Sequence, residues 1–437
     1  MATFAPLFKK RVEMPIKLIQ MRRYILSLIC LLSLSVFAFS QEHQEQPTNG
    51  AHGQGAEAHD AGCGPAGEHE FDPGATAFHH IADQNIYSIG PWNFPLPCFL
   101  YAQEHGWSVF SSGKFHADAH GNGHAAVDKY VLVDGMVHRI SDPSFPDGEV
   151  EVGHHAYWQK LKQEKGKDKD VPFICYQSKL YPADARSTAD GGLFGGGITS
   201  FYDFSLTKNV TSMILILALL SWAFLSVAKA YKTRDGMAPK GLQGFIEPIF
   251  LFIQDEVAKP FLGHKWEQYL PFLMSLFFFI LGLNLFGQIP FLGGSNVTGN
   301  LGVTMVLALI TFLVVNLSGN KHYWEHIFWM PGVPAWVKTI LTPVEILGVF
   351  IKPMTLMLRL FANITAGHMV MVIFVGLIFV FSQSGASPGA GYGTAIGSTI
   401  LTLFMMSIEL LVAFIQAFVF TILTASYIGA ATEEAHH

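Results

Sequence analysis

Apolar and polar positions divide the chain into a short apolar run, a long polar stretch and an apolar half that is nearly free of charge. After Arg22 and Arg23, the run Tyr24 to Phe39 ends in Ala38-Phe39-Ser40 before the polar Gln41. This is the pattern of a signal peptide, predicted over residues 1–40 with Met21 as a candidate start; an uncleaved anchor helix is the alternative, although the run is short for a membrane span. From Gln41 to about Phe204 the composition turns polar and holds 13 of the 19 histidines. Its first part, to about Gly74, is rich in Gly, His and Gln and is expected to be disordered. Further on, Tyr130-Val131-Leu132-Val133-Asp134-Gly135-Met136-Val137-His138 predicts two short strands around an Asp-Gly turn.

The apolar half opens with Val210 to Ala228, 19 uncharged residues, enough to cross about 30 Å of hydrocarbon as a helix. Lys229, Lys232, Arg234 and Lys240 follow, so by the positive-inside rule this end is cytoplasmic and the preceding polar region is periplasmic. Phe245 to Phe261 has apolar residues at Phe245, Ile249, Phe252 and Ile253 but is interrupted by Glu247, Asp255, Glu256 and Lys259, which predicts an amphipathic helix lying in the membrane plane. Tyr269 to Phe291 and Leu301 to Leu317 read as an outward and an inward span, and Lys321 and Lys338 mark the next inner loop.

Two long helices are predicted last, Thr339 to Phe381 and Thr394 to Ala430, hinged by a Gly- and Ser-rich loop through Pro388 to Gly393. The first would be about 65 Å long, twice the hydrocarbon thickness, so it must tilt strongly or break near Pro353. The fold class is thus an all-α polytopic membrane protein with about five membrane-inserted helices, an in-plane helix and a small polar extension with some β structure. Its predicted domains are a polar extension over 41–206 and a membrane domain over 207–437.

Charges on these two helices are sparse and placed. Glu345, Lys352 and Arg359 recur every seven residues, within about 40° of one helix face. An ionised arginine inside an apolar helix is expensive unless it meets a wet cavity or a partner charge, and such a residue is functional by default. Asn363 lies one turn beyond Arg359, and His368 further along. The last helix carries one formal charge, Glu409, with Gln416 two turns later on the same side. A structural Arg–Glu pair is the alternative for the first helix alone, but two successive helices with polar stripes read as the walls of a proton path.

Composition agrees with a membrane protein carrying a polar appendage, being 50% hydrophobic and only 14% charged. A net charge of −6 without a Lys/Arg-rich stripe argues against nucleic-acid binding. The adjacent pairs His79-His80 and His154-His155 do not have the spacing of a metal tetrad, so no metal or other cofactor is expected. Among the exported Cys63, Cys98 and Cys175, at most one disulfide can form.

The segment Leu358-Arg359-Leu360-Phe361-Ala362-Asn363 followed by Gly367, with Gln416-Ala417-Phe418-Val419-Phe420, Asn284 to Pro290 and Thr342-Pro343-Val344-Glu345, resembles subunit a of the F-type ATP synthases. The resemblance extends from about Asn209 to Glu434. Many bacterial members carry an acid nine residues after the arginine and a histidine in the last helix; here the two are exchanged, as His368 and Glu409, which resembles the mitochondrial type. The resemblance implies a non-catalytic stator subunit of a bacterial inner membrane, with a ring of c subunits, a b-subunit stalk and the rest of the complex as partners. Arg359 would act as a fixed charge facing the ring, His368 and Glu409 would line the periplasmic half-channel, Glu345 the cytoplasmic one, and Asn363 and Gln416 the interface near Arg359. No G-x-x-x-x-G-K-[ST] loop is present, so ATP binding is not expected of this chain. A stand-alone secondary transporter is the rival reading, and the internal repeat it would show is not found within residues 209–430.

Overall fold

The computed structural model describes residues 82–433 apart from 90–91, 118–120, 153–155, 163–167, 178, 184–200, 235–236, 290–294, 331 and 383–387. The apolar run at the start, the low-complexity segment and Cys63 lie outside the described residues.

The polar region is richer in strands than the single hairpin expected. Its strands are β1 (Ile86–Ile89), β2 (Trp92–Pro95), β3 (Pro97–Ala102), β4 (Gly106–Ser111), β5 (Ala125–Val127), β6 (Tyr130–Val133), β7 (Met136–Arg139), β8 (Glu149–Glu151), β9 (Ala156–Lys162), β10 (Asp168–Tyr176), β11 (Lys179–Pro182) and β12 (Tyr202–Asp203). They form four antiparallel sheets in the orders β1-β2, β12-β3-β4, β7-β6-β5-β8 and β11-β10-β9. The predicted hairpin is β6–β7, where Asp134 (φ 51°) and Gly135 (φ 77°) supply the two positive-φ residues that let a two-residue turn follow the strand twist. The other strands lack a clean alternation. In β3, Cys98, Leu100 and Ala102 point into the core while Phe99 is exposed, and its partner β4 exposes Trp107 and Val109. Apolar residues on both faces next to the first membrane helix suit the membrane–water interface. Cys98 is a free thiol, and burial, with the Asp203 charge, pushes it up to about 12. Cys175 is disulfide-bonded to a cysteine outside the described residues.

The membrane half consists of α1 (Lys208–Thr233), α2 (Leu242–Phe252), α3 (Lys259–Leu262), α4 (Trp266–Gly287), α5 (Leu301–Ser318), α6 (Lys321–Phe328), α7 (Ala335–Phe381) and α8 (Pro388–Thr432). Five stretches, 208–233, 242–287, 301–318, 335–378 and 391–432, are long and apolar enough to cross a membrane. This is a multi-pass membrane protein. A π-helical turn, Ile253–Ala258, joins α2 to α3. In this predicted in-plane segment the buried face is Ile246, Ile253, Val257 and Leu262, whereas Phe245 and Phe252 are exposed. Apolar residues occupy two sides of it, so spacing alone selects the wrong side for those two phenylalanines.

α7 is one helix of 47 residues, about 70 Å at 1.5 Å per residue, and runs through both Pro343 and Pro353 without the break considered above. α8 begins at Pro388 rather than Thr394, and one of its early glycines serves packing and not a turn: a Cβ on Gly391 would lie 2.9 Å from Ser382 Cβ. The inner loop before α7 contains α6, which was not expected. α7 packs lengthwise on α8, α8 on α4 and α5, and α5 on α7. The buried stripe of α7 is Leu356, Leu360, Ile364 and His368, four residues apart; that of α8 includes Glu409, Ala413, Gln416, Ala417, Phe420 and Thr424. Small residues in this stripe allow close helix approach. The C-terminal end of α8 is held by Lys265, whose Nζ donates to the Thr432 carbonyl at 3.0 Å, and by Asn320, whose backbone N–H donates to the Ala431 carbonyl at 2.9 Å.

Gly429 of α8 lies so close to α3 that a Cβ there would overlap the Phe261 carbonyl oxygen. Backbone cannot yield as a side-chain tip can, and overpacking of this kind costs roughly 1–3 kcal/mol. Gly429→Ala is therefore expected to lower the amount of folded subunit in membranes several-fold, read by immunoblot; an unchanged level would contradict this packing.

Candidate functional site

The polar residues of α7 and α8 meet in two places. One turn beyond Arg359, Asn363 Nδ2 donates to Gln416 Oε1 at 3.0 Å across the two helices. Arg359 itself is half-buried and makes no ion pair or hydrogen bond among the described residues. Tyr427 of α8 feels its charge, and the ring of that tyrosine also lies 5.6 Å from the Lys352 Nζ. Glu345 forms no ion pair with either cation; its charge reaches Tyr323 of α6, whose phenol is held above the usual tyrosine value mainly by burial and further by that charge. The structural Arg–Glu pair considered above is thus not formed.

Further along, His368 and Glu409 face each other with Nδ1 and Oε1 2.7 Å apart, both buried. Gly367 makes room, since a Cβ at that position would stand 3.0 Å from Glu409 Oε1. The other imidazole nitrogen, Nε2, is 3.1 Å from the Gly287 carbonyl oxygen. A carbonyl only accepts, so Nε2 carries a hydrogen, and the short contact on the Nδ1 side then requires one proton held between imidazole and carboxylate. Glu409 Oε2 has no hydrogen-bond partner among the described residues.

Several residues that the stripes did not single out complete this region. Gln288 Nε2 donates to the Glu409 backbone carbonyl at 2.8 Å, Asn284 Nδ2 to the Ala413 carbonyl at 3.3 Å, and Thr298 Oγ1 to Asn284 Oδ1 at 2.7 Å. Asn284 and Gln288 fall within the quoted segment Asn284 to Pro290; Thr298 comes from a loop whose role no local pattern announces. Tyr427 was missed because a lone tyrosine near the end of an apolar helix reads as an interfacial anchor.

Fold and site define a multi-pass membrane protein whose last two helices carry an uncompensated cation and a buried acid–imidazole pair. The family described as ATP synthase A chain matches residues 210–429, half of the chain. A domain of unknown function, DUF8433, matches residues 76–190. Among curated relatives, ATP synthase subunit a of Chloroherpeton thalassium is 40% identical over 242 residues, 54% of this chain and 69% of that protein. ATP synthase subunit a 2 of Chlorobaculum tepidum is 40% identical over 239 residues, 53% of this chain and 64% of that one. ATP synthase subunit a of Myxococcus xanthus is 36% identical over 260 residues, 58% and 81% respectively. The chain belongs to the ATP synthase A chain family.

Proposed function

We propose that this chain is the proton-carrying stator subunit of a bacterial F-type ATP synthase, not itself catalytic, working against a rotating ring of c subunits. The observation that carries the reading is Arg359, a half-buried guanidinium without a counter-charge among the described residues, on a helix pair with many exposed apolar side chains: Leu347, Phe350, Ile351 and Met354 on α7, and Leu403, Phe404, Leu411 and Ile415 on α8. A largely apolar surface on which a half-buried guanidinium stands without a paired carboxylate suits a partner that presents buried carboxylates one at a time.

Guanidinium does not lose its proton in proteins, so Arg359 cannot relay one. Beside a ring carboxylate it favours the ionised form, so that each acid must give up its proton before passing. A proton therefore cannot cross directly between the two sides, and flow is tied to ring rotation. His368 and Glu409 load the acids from the periplasmic side, Glu345 belongs to the cytoplasmic route, and Asn363 with Gln416 holds the helix surface beside Arg359. Lys229, Lys232 and Arg234 at the end of α1 support, by the positive-inside rule, a cytoplasmic position for that end and an outside position for the β-rich region. Each proton then delivers about 2.3 kcal/mol per 100 mV of membrane potential.

The experiment is purification of the tagged chain from native membranes under mild detergent. Recovery of a stable complex with the c ring, the b stalk and the catalytic subunits is expected; a chain that purifies alone from membranes containing those subunits would overturn the proposal.

A further inference from the structure

The β-rich region is seated on the start of α1 by buried polar contacts. The backbone N–H of Lys208 donates to the Gln84 carbonyl at 2.7 Å, and that of Asn209 to Asp83 Oδ1 at 3.0 Å. Asp83 and Lys208 are 7% and 3% exposed, and each feels the other's charge. Two oppositely charged side chains buried in one seam are costly as mere anchors, since apolar residues of similar volume hold such seams as well or better.

From this seam a line of contacts leads to the acid–imidazole pair. Asn209 Oδ1 accepts from Ser295 Oγ at 3.1 Å. The Ser295 carbonyl oxygen lies 2.8 Å, and His368 Cε1 3.9 Å, from where a Cβ of Gly287 would be, so no side chain separates the Ser295 backbone from the imidazole. Gly287 supplies the carbonyl against His368 Nε2, and His368 meets Glu409. Asn209, Ser295, His368 and Glu409 are all buried. Beside this line, Thr207 Oγ1, Asn296 Nδ2 and Glu409 Oε2 are buried without a hydrogen-bond partner among the described residues. Buried polar atoms without a protein partner are places where a trapped water can sit.

We propose that the β-rich domain is part of the proton path: access from outside to His368 and Glu409 runs through the seam between this domain and α1, with Asp83 as its outermost acid and Lys208 as the buried amine that feels its charge. This rests on the reading of the chain as a proton-carrying stator. Asp83 takes up a proton from outside water and passes it to trapped water along Asn209 and Ser295, and the His368–Glu409 pair receives one as it gives one to the ring, so the number of protons in the path is unchanged. Asp83 lies in the DUF8433 region, outside the part matched by the A chain family, and this assigns that region a task.

The test uses the whole complex in inverted vesicles, with ATP-driven proton uptake measured beside immunoblots. Asp83→Asn keeps an oxygen for the Asn209 N–H but cannot carry a proton; it is expected to lower uptake at least about tenfold at normal subunit level, while Asp83→Glu restores most of it. The pair Asp83→Asn with Lys208→Met removes both charges, avoids a lone buried cation and is expected to be equally slow. Ser295→Cys should make uptake sensitive to silver ion, a small thiol-reactive cation, against the parent chain as control; Cys98 contributes little because it is buried and its thiol is held at about 12. Full uptake in the doubly neutralised complex, or a Ser295→Cys complex indifferent to silver, would overturn the inference. A parent complex that takes up no protons would instead overturn the stator reading itself.

Discussion

Arg359→Ala is expected to abolish ATP-driven proton uptake by inverted membrane vesicles while the same vesicles leak protons passively. Without the guanidinium nothing forces a ring carboxylate to ionise before it passes from one half-channel to the other, so protonated acids can shuttle back and forth and rotation no longer drives net transport. Arg359→Lys keeps a charge, but an ammonium in an apolar surface can lose its proton, so this variant should also be severely impaired. A purely structural arginine predicts otherwise: loss of folded subunit on Ala substitution, with partial rescue when Glu345 is also removed. Arg359 has no ion-pair partner to lose among the described residues, so immunoblots for this subunit and the ring should be unchanged. Normal ATP-driven uptake by an assembled Arg359→Ala complex would contradict its role as separator.

The second large effect concerns His368 and Glu409, which at 2.7 Å should behave as one unit. His368→Glu alone sets two carboxyl groups against each other in a buried site, and Glu409→His alone sets two imidazoles there. Breaking a buried pair from one side typically costs roughly 3–5 kcal/mol, because the remaining group is left uncompensated. The double exchange restores one acid facing one imidazole, and coupling energies for such neighbours run to about 3 kcal/mol. Proton uptake should therefore be nearly lost in each single variant and partly recovered in the double one. The recovery will be incomplete, because the Gly287 carbonyl needs a donor at position 368 and the clearance provided by Gly367 fits a carboxyl at 409. Better pumping by both single variants than by the double exchange would show that the two groups do not act together.

Much of the membrane half was legible because its signals are physical and long: uncharged runs of span length, basic residues after α1, and charges repeated at helical spacing. The same periodicity that put Glu345, Lys352 and Arg359 on one face could not say that Glu345 forms no ion pair with Arg359 and that its charge reaches Tyr323, since that depends on where α6 packs. Helix ends were less legible. The glycines before Thr394 read as a turn, whereas Gly391 is small so that α8 can approach Ser382. In the β-rich region only the Asp134-Gly135 turn announced itself, because there two positive-φ positions carry the Asp-Gly pair that suits them between two apolar runs. Strands such as β3 and β4 carry apolar side chains on both faces and gave no period to read. Thr298 and Ser295 come near the last two helices only through tertiary contacts from a separate loop, and no local pattern marks them.

The most direct measurement of the central claim is proton flux driven by an imposed membrane potential in vesicles reconstituted with this chain alone, with the ring alone, or with both in the assembled membrane sector without its catalytic part. The stator reading predicts flux only where chain and ring are present together, because neither half-channel crosses the membrane and the ring acids must carry protons between them. Sustained flux through the chain alone would contradict it and would favour a stand-alone transporter.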